Sequence, residues 1–357
     1  MSGNRKEYNV SDNRDDLVNS KDETSFVDLP KDMVRLVGCF IPADTDKGKY
    51  ARLCEQANNF FQRDLDERAV EKLLHHVAYG EKDQAEKMIK SNPKLLLARG
   101  TVTDEAGRTI YGTAYQIALG AKDVSPFPEN KIEEMAEMLE RYLLQLPNGE
   151  EEREKQYNEQ FPEGFEKQEE ARRKSDSFEL NKVFSAIKND KTTNQAEANK
   201  AVAEFQNYLE NQIKGVITMG YHFNEALFEE ALKLYDEHYE KFGGFDSPKN
   251  RLAAIQVIGG IQKKFTACLA GAACDGFGKV VDEKKALSRS KLLDDKKTSF
   301  FHPNLGVSHF VYSYYCGGCG GAGRGRGGWG RMLRAADLFK TYVEQKLQPY
   351  QAATYRY

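Results

Sequence analysis

The chain has 357 residues, of which 40% are hydrophobic and 30% charged, and its 52 basic and 55 acidic side chains leave a formal net charge of −3. This length allows one large domain or two ordinary ones, and the composition is typical of a soluble, mostly helical protein. The near-balance of charge excludes the global cationic field that attracts nucleic acid or an anionic bilayer. Local basic patches are not excluded.

Targeting signals and cysteine usage give further expectations. No apolar stretch follows the N-terminal residues, so we expect no cleaved secretory signal. The most apolar region, Leu252–Val281, is interrupted by charged residues and predicts a buried helix pair, not a transmembrane helix. Six cysteines are too few for a disulfide scaffold in a chain this long, which favours a reducing compartment.

The chain begins with a polar stretch of mixed charge. Residues 1–30 cannot bury enough apolar area to offset the entropy of ordering, so we predict a flexible tail. Order is expected from the apolar run at residues 34–41, which opens a domain predicted over residues 31–147.

A helical pattern with a glycine stop follows. Leu73, Leu74, Val77 and Ala78 recur at helical spacing, and Gly80 stands where a helix C-cap is expected. A second helix is predicted over Gln84–Lys90, with Asp83 as its N-cap and Asn92-Pro93 at its end.

A second copy of this pattern begins about 40 residues later, where Gln116–Gly120 echoes His76–Gly80. The segment Thr103–Ala114 between them predicts a polar turn, and a helix is expected over Lys131–Gln145. This order of turn, helix, glycine and helix resembles the ankyrin repeat, although ankyrin copies stand about 33 residues apart. The alternative is an antiparallel helix bundle.

Residues 148–175 are almost continuously charged, and we predict a solvated, partly helical connector there. Tyr157, Phe161 and Phe165 would form a narrow apolar stripe, but Pro162 breaks any uninterrupted helix. An acidic strip that binds a partner is the alternative.

The last predicted domain, residues 176–357, contains amphipathic helices. Gly243-Gly244 is expected to end one helix, and Ser247-Pro248 to begin another. The apolar positions that predict the first three helices are Phe178, Leu180, Val183, Phe184 and Ile187, then Val202, Phe205, Leu209 and Ile213, then Leu227, Phe228, Ala231, Leu234 and Tyr235. Outside the apolar run at residues 34–41, which could be a strand or the start of a helix, no strand-rich section is expected except Val307–Tyr315.

A C-terminal set of ligand types precedes a glycine-rich segment. His302, His309, Cys316 and Cys319 supply the inventory of a tetrahedral zinc site, but their spacing matches no zinc-finger pattern, and we favour no metal. The Cys-Gly-Gly-Cys pair lacks the α/β context of a thioredoxin-like redox site. Cys268 and Cys274 are interpreted as small core residues.

Nine of the 29 glycines lie between Gly317 and Gly330. Gly323–Gly328 has the spacing Gly-x-Gly-x-x-Gly, but a dinucleotide site needs a return strand and an acidic residue that the remaining chain lacks. We predict no cofactor. Glycine amides at the start of a helix over Trp329–Lys346 could hold an anion or a partner, with these candidate binding residues: Arg324, Arg326, Trp329 and Arg331.

Four segments resemble ankyrin-like proteins of Legionella and related intracellular bacteria: Leu73–Gly100, Thr101–Gly120, Gln256–Cys268 and Ser299–Pro303. Many such proteins are substrates of type IVB secretion systems. The resemblance therefore implies a bacterial cytoplasmic protein that is secreted into the host cytosol, with the bacterial secretion machinery and a host protein as partners. It implies no catalytic residue.

The sequence thus predicts a mainly α protein, in which ankyrin-like helical pairs precede a helical domain with a glycine-rich C-terminal loop at residues 316–330. The leading hypothesis is a secreted effector that binds a host protein, because paired helices present side chains without a catalytic pocket. The alternative is an effector enzyme with its site at the C-terminal loop, using His302, His309, Cys316, Cys319 and Arg324.

Overall fold

The structure is a computed structural model that describes residues 55–127, 132–175, 178–244, 247–293, 296–302 and 336–346. The chain divides into two compact units, Met1–Arg68 and Ala69–Tyr357. Residues 55–68 of the first unit are described, and they are helical. The predicted tail (1–30), the apolar run (34–41) and the predicted strand (307–315) lie outside the described residues.

Helices dominate the described residues, as predicted. The first half contains α1 (Glu55–Ala78), α2 (Lys82–Ser91), a 3₁₀ turn (Pro93–Leu97), β1 (Gly100–Thr103), β2 (Thr109–Gly112), α3 (Ala114–Gly120), α4 (Met135–Leu143), α5 (Gly149–Gln160) and α6 (Phe165–Ser175). The second half contains α7 (Leu180–Asn189), α8 (Ala196–Gln212), β3 (Val216–Ile217), α9 (Glu225–His238), a 3₁₀ turn (Tyr239–Phe242), α10 (Pro248–Arg251), a π-helical segment (Leu252–Ile258), α11 (Gly259–Gln262), α12 (Ala267–Asp275), α13 (Phe277–Asp282) and a helix over residues 336–346.

Gly80 ends α1, which confirms the predicted C-cap. Its φ of +69° lies in the left-handed region that glycine adopts without a steric penalty. The backbone N–H of Glu81 then donates to the carbonyl of His76 at 2.8 Å and closes the last turn. The predicted cap of α2 is wrong, because Glu81 holds the N-cap position and Asp83 lies in the first turn, where the helix dipole favours a carboxylate.

The segment predicted as a polar turn carries two strands as well as the turn. The Asp104 carboxylate accepts hydrogen bonds from the backbone N–H groups of Ala106 at 3.1 Å and Arg108 at 2.9 Å. Gly107 completes the turn with a φ of +87°. β1 and β2 therefore pair as an antiparallel hairpin, with Val102 opposite Ile110.

β3 adds a parallel strand to this hairpin, giving the sheet order β1-β2-β3. Side chains alternate between the two faces of a strand, and Val102 and Ile110 point into the core. The opposite face, which we call the outer sheet face, carries Thr101, Thr103, Thr109, Tyr111 and Val216.

Two hydrophobic clusters make up the buried core. The first joins the end of α1 and α2 to the hairpin, α3, α4 and the start of α6. The second joins α7, α8 and α9 to α12, α13 and the helix over residues 336–346. Phe265 lies in the second cluster, with ring centroids 5.3 Å from Phe223 and 4.9 Å from Phe228. The predicted amphipathic helices of the second half are therefore confirmed by their burial.

The charged segment 148–175 is more deeply packed than the predicted solvated connector. It forms α5 and α6, which Phe161 and Pro162 separate, and Phe161 and Phe165 are buried. Gln156 is also buried: its Oε1 accepts from the Thr113 hydroxyl at 2.5 Å and its Nε2 donates to the Leu96 carbonyl at 3.1 Å. The apolar stripe hidden among the charges therefore packs against the first cluster.

Glu137, in the first turn of α4, has an unusual proton affinity. Its carboxylate accepts hydrogen bonds from the backbone N–H groups of Ser125 at 2.8 Å and Glu134 at 3.1 Å. Burial outweighs these bonds and raises the pKa of Glu137 from 4.5 to about 7.

Replacing Glu137 with glutamine is expected to reduce the pH dependence of stability. The Glu137 carboxyl binds its proton more tightly in the folded wild type than in the unfolded chain, so protonation of Glu137 stabilises the fold. This stabilisation is complete below pH 4.5 and is lost as the pH rises through 7. A shift of this size corresponds to about 3 kcal/mol. The free energy of unfolding, measured with urea, should fall less between pH 5 and pH 8 for Glu137→Gln than for the wild type. Equal falls in the two proteins would contradict the raised pKa.

Candidate functional site

The residues predicted to form a C-terminal site fall almost entirely outside the described residues. They are Arg324, Arg326, Trp329 and Arg331, together with His309, Cys316 and Cys319. His302 is described and exposed. The anion-binding loop and the enzyme hypothesis that depends on it therefore stay predictions.

A pocket open to solvent lies where the β1–β2 turn meets α6, the end of α8 and the start of α9. We call it the His222 pocket. It is lined by three cationic residues (Arg108, Arg172 and Lys264), three polar residues (Gln212, His222 and Asn224) and five apolar or aromatic residues (Tyr208, Leu209, Ile213, Phe223 and Leu227). None of these described lining residues is a carboxylate.

Arg108 holds the hairpin turn against the rest of the pocket. Its Nε and Nη2 donate to Oδ2 of Asp104 at 2.9 and 2.6 Å, and both side chains are buried. The same guanidinium donates to the backbone carbonyls of Lys264 and Phe265. A planar guanidinium with several fixed donors suits this bridging position, so Arg108 fixes the shape of the pocket.

Arg172 and Lys264 supply the other two positive charges. Arg172 donates from Nη1 to the Tyr221 carbonyl, and its own carbonyl accepts from Nδ2 of Asn224 at 3.3 Å. The Nζ of Lys264 lies 2.9 Å from Oε1 of Glu210, an exposed residue of α8. A contact within the fold therefore holds each of these two cationic side chains in place.

His222 packs closely against Gly120 at the wall of the pocket. Its backbone N–H donates to the Gly120 carbonyl at 2.8 Å. A Cβ built on Gly120 would lie 2.2 Å from Nε2 and 2.7 Å from Cδ2 of His222, so this edge of the imidazole packs directly on the glycine. In an imidazole ring, Nδ1 lies opposite the Nε2–Cδ2 bond and therefore points away from Gly120.

The environment of His222 keeps its imidazole neutral. Burial lowers the pKa of His222 well below its ordinary value, and the charges of Arg108 and Arg172 lower it further. His222 is 3% exposed, and its Nδ1 has no hydrogen-bond partner among the described residues. Buried polar atoms without a partner are rare in folded proteins, so this atom marks the pocket as a candidate ligand site.

The outer sheet face lies next to the same pocket. Arg108 directly precedes Thr109, and Thr109 is the β-partner of Val216. Tyr111 and Val216 are 41% and 55% exposed on this face. The sheet therefore presents apolar side chains to solvent beside a positively charged pocket.

A cluster of possible metal ligands lies at the end of α1. The ligand atoms of His75, His76 and Glu81 lie within 4.8 Å of one another, and Nδ1 of His76 is 2.5 Å from the Glu81 carboxylate. Ligand atoms around a tetrahedral zinc ion are about 3.4 Å apart, given bonds of about 2.0–2.1 Å. The His76 imidazole is hydrogen-bonded to Glu81, and the wider spacing of the three groups makes this a poorly organised metal site.

A group of buried charges lies around Lys122 and Asp123, in the loop after α3. Lys122 Nζ is 2.8 Å from Glu169 and 2.7 Å from Glu225, and Arg289 pairs with Asp123 and Glu134. Lys346 donates to the Lys122 carbonyl at 2.8 Å. These contacts join residues far apart in sequence, and they connect the two hydrophobic clusters.

Cys268 and Cys274 are buried and form no disulfide with a described residue, as expected for small core residues. The Sγ of Cys268 donates to the Ala121 carbonyl at 3.2 Å, and burial raises the pKa of its thiol. A raised pKa keeps the sulfur protonated and poorly nucleophilic.

Comparison with known proteins adds no assignment: no family model, no curated protein and no solved structure matches the chain. Across the described part of the chain, no helix has both the length and the apolar character needed to cross a bilayer.

Proposed function

We propose that the chain is a secreted bacterial effector that acts on a host target through protein–protein binding, and that the outer sheet face is its contact surface. The observation that carries this proposal is the exposure of Tyr111 and Val216 on a sheet whose opposite face is buried. The sequence resemblance to ankyrin-like effectors and the near-neutral charge support a protein partner over a nucleic acid.

The chemistry of the outer sheet face suits protein recognition. Tyrosine offers a large, rigid contact area with a polar hydroxyl, and it is enriched where interfaces concentrate binding energy. On this face Thr101 lies opposite Tyr111 and Thr109 lies opposite Val216, so each of the two apolar side chains has a polar neighbour on the next strand. Exposed apolar side chains grouped in this way are typical of an interaction surface.

The binding proposal predicts loss of a host partner when the centre of this face is changed. Tyr111→Ser combined with Val216→Ser should reduce recovery of the partner at least about 10-fold, because removing central contacts commonly costs more than 1 kcal/mol each. The measurement is quantitative mass spectrometry after capture of the full chain from host lysate.

Leu144→Ser is the matched control, since Leu144 is 48% exposed at the end of α4 and lies outside the sheet. The control should recover the same host protein as the wild type. No protein above background, or equal recovery by the sheet variant, would contradict the proposed contact surface.

Delivery into the host is a separate part of the proposal. A translocation reporter fused to the full chain should enter host cells from a strain with a working type IVB secretion system and stay in the bacterium when that system is inactive. The absence of transfer from the working strain would contradict the effector assignment without affecting the binding result.

A further inference from the structure

We propose that Ser288 is a phosphorylation site for a serine/threonine protein kinase with an acidic substrate groove, and that the phosphate releases the segment that contains it. This segment, residues 283–293, follows α13, and we call it the strap. The inference does not depend on the proposed host partner.

The strap is an irregular stretch with an exposed beginning. Residues 284–291 form neither helix nor strand, and residues 282–286 and Ser288 are exposed. The φ angles of Lys284 and Arg289 are +48° and +62°, in the left-handed region that residues other than glycine seldom adopt. An exposed segment without regular structure opens locally at a low free-energy cost, so an enzyme can reach it.

Basic side chains precede Ser288. Lys284 and Lys285 stand four and three positions before it, and both are exposed. Kinases select their substrates partly through complementary charge, so these two lysines favour a kinase with an acidic substrate groove. Lys285 pairs with Glu283, but both side chains are exposed, and such a pair is readily exchanged for another.

Ser288 ties the strap to the end of α12. Its hydroxyl donates to Oδ1 of Asp275, and its backbone N–H donates to Oδ2 of the same carboxylate at 2.7 Å. Both contacts lie at the surface. A small local opening therefore presents the hydroxyl to a kinase, and one carboxylate holds Ser288 through two hydrogen bonds.

Phosphorylation replaces this attraction with repulsion. The kinase transfers the γ-phosphoryl group of ATP to Oγ of Ser288: the new P–O bond forms as the bond to the β-phosphate oxygen breaks, ADP leaves, and the hydroxyl proton passes to the catalytic aspartate of the kinase. The phosphoserine has lost the O–H that Asp275 accepted, and it carries a charge of about −1.5 to −2 at pH 7. Beside a carboxylate, this charge is repelled.

The residues that follow Ser288 attach the strap to other parts of the fold. Arg289 donates to Glu134, which holds the N-cap position of α4. The Nζ of Lys291 donates to Glu105, in the turn between β1 and β2, at 2.7 Å. Release of Ser288 is therefore expected to loosen the strap at α4 and at the hairpin.

The first test incubates the full chain with ATP and the catalytic domain of protein kinase C, which accepts basic residues before its target serine. Mass spectrometry should locate the phosphate at Ser288. Ser288→Ala should abolish this modification, and the control Ser290→Ala, which changes the neighbouring exposed serine, should leave it unaltered. Lys285→Met should slow incorporation about 10-fold, the change expected when a contact between charged groups is lost.

The second test measures hydrogen exchange by mass spectrometry in the wild type, phosphorylated after it has folded. Exchange in the fragment 283–293 should become at least about 10-fold faster, because hydrogen bonds to charged carboxylates are lost. Phosphorylation of Asp275→Asn should accelerate exchange less than phosphorylation of the wild type, since the asparagine amide carries no negative charge.

Each half of the proposal has its own contrary result. No phosphate, phosphate mainly at another residue, or equal rates for the wild type and Lys285→Met would overturn Ser288 as the kinase site. Unchanged exchange after complete phosphorylation of Ser288, or an equal acceleration in Asp275→Asn, would overturn release of the strap by repulsion.

Discussion

Replacing Arg289 with methionine is expected to lower the free energy of unfolding by about 3–5 kcal/mol. The Arg289 guanidinium binds Asp123 through two hydrogen bonds, of 2.6 Å from Nη1 and 2.8 Å from Nη2, and it also donates to Glu134. Both carboxylates are buried. Methionine fills a similar volume, but it would leave two negative charges in the interior without the cation that hydrogen-bonds to both of them.

The pKa of Asp123 shows how strongly this pair depends on the arginine. Burial alone would raise the pKa of Asp123, yet the charge and hydrogen bonds of Arg289 hold it below its ordinary value. Without Arg289, the free-energy cost of burying the charged Asp123 carboxylate would no longer be offset by this cation. Arg289 lies in the segment after α13, so we expect the loss to detach this segment from the loop that follows α3.

Urea unfolding at pH 7 measures the effect. Lys285→Met is the matched control, because it removes a lysine of the same segment whose partner Glu283 is also exposed, and such pairs contribute at most about 1 kcal/mol. Arg289→Met combined with Asp123→Asn and Glu134→Gln should recover a large part of the loss, since it removes the buried charges. A similar small effect for Arg289→Met and Lys285→Met would contradict the argument.

Local patterns were sufficient to predict most helices of the second half. Leu180, Val183, Phe184 and Ile187 recur at helical spacing, and all four are buried in α7. Gly243-Gly244 and Ser247-Pro248 mark helix boundaries because their backbone preferences act within a few residues. These features are decided by local geometry and by one apolar face, and both can be read from a short window of sequence.

The features that sequence analysis missed depend on contacts between distant segments. β3 is two residues long and exists because Val216 and Ile217 pair with Thr109 and Ile110, about 100 residues earlier. The dense charges of α5 and α6 suggested solvent exposure, whereas Phe161 and Phe165 have buried positions supplied by other helices. A charge count over one segment does not show which of its residues meet an apolar partner.

The His222 pocket could not be predicted from spacing for the same reason. Arg108, Arg172, His222 and Lys264 come from a turn, a helix and two connecting segments. The sequence feature that comes closest to indicating the pocket is Gly120, because a glycine at the end of a helix allows another side chain to pack closely against the backbone. The sequence does not show that this side chain is His222, so the contact emerges only when the segments are brought together.

Replacing Lys122 with methionine is expected to cost about 3–5 kcal/mol as well, for a related but distinct reason. One buried ammonium serves two carboxylates, Glu169 of α6 at 2.8 Å and Glu225 of α9 at 2.7 Å, and it lies 4.2 Å from the centre of the Tyr221 ring. Without the Lys122 ammonium, the two negatively charged carboxylates would face each other in a buried site. The expected effect is a loss of connection between α6 and α9.

Lys174→Met is the control for Lys122→Met, because its pair with Glu170 on α6 is exposed. The pH dependence provides a second measurement. Although burial opposes it, Lys122 lowers the pKa of Glu169 in the wild type, so the wild type loses stability as the pH falls through that low pKa. Without Lys122, burial is less well opposed and Glu169 takes up a proton at higher pH, which stabilises the folded variant as the pH falls. The difference in free energy of unfolding between the two proteins should therefore shrink from pH 7 to pH 4.5. A constant difference over this range would show that Lys122 acts through packing and not through its charge.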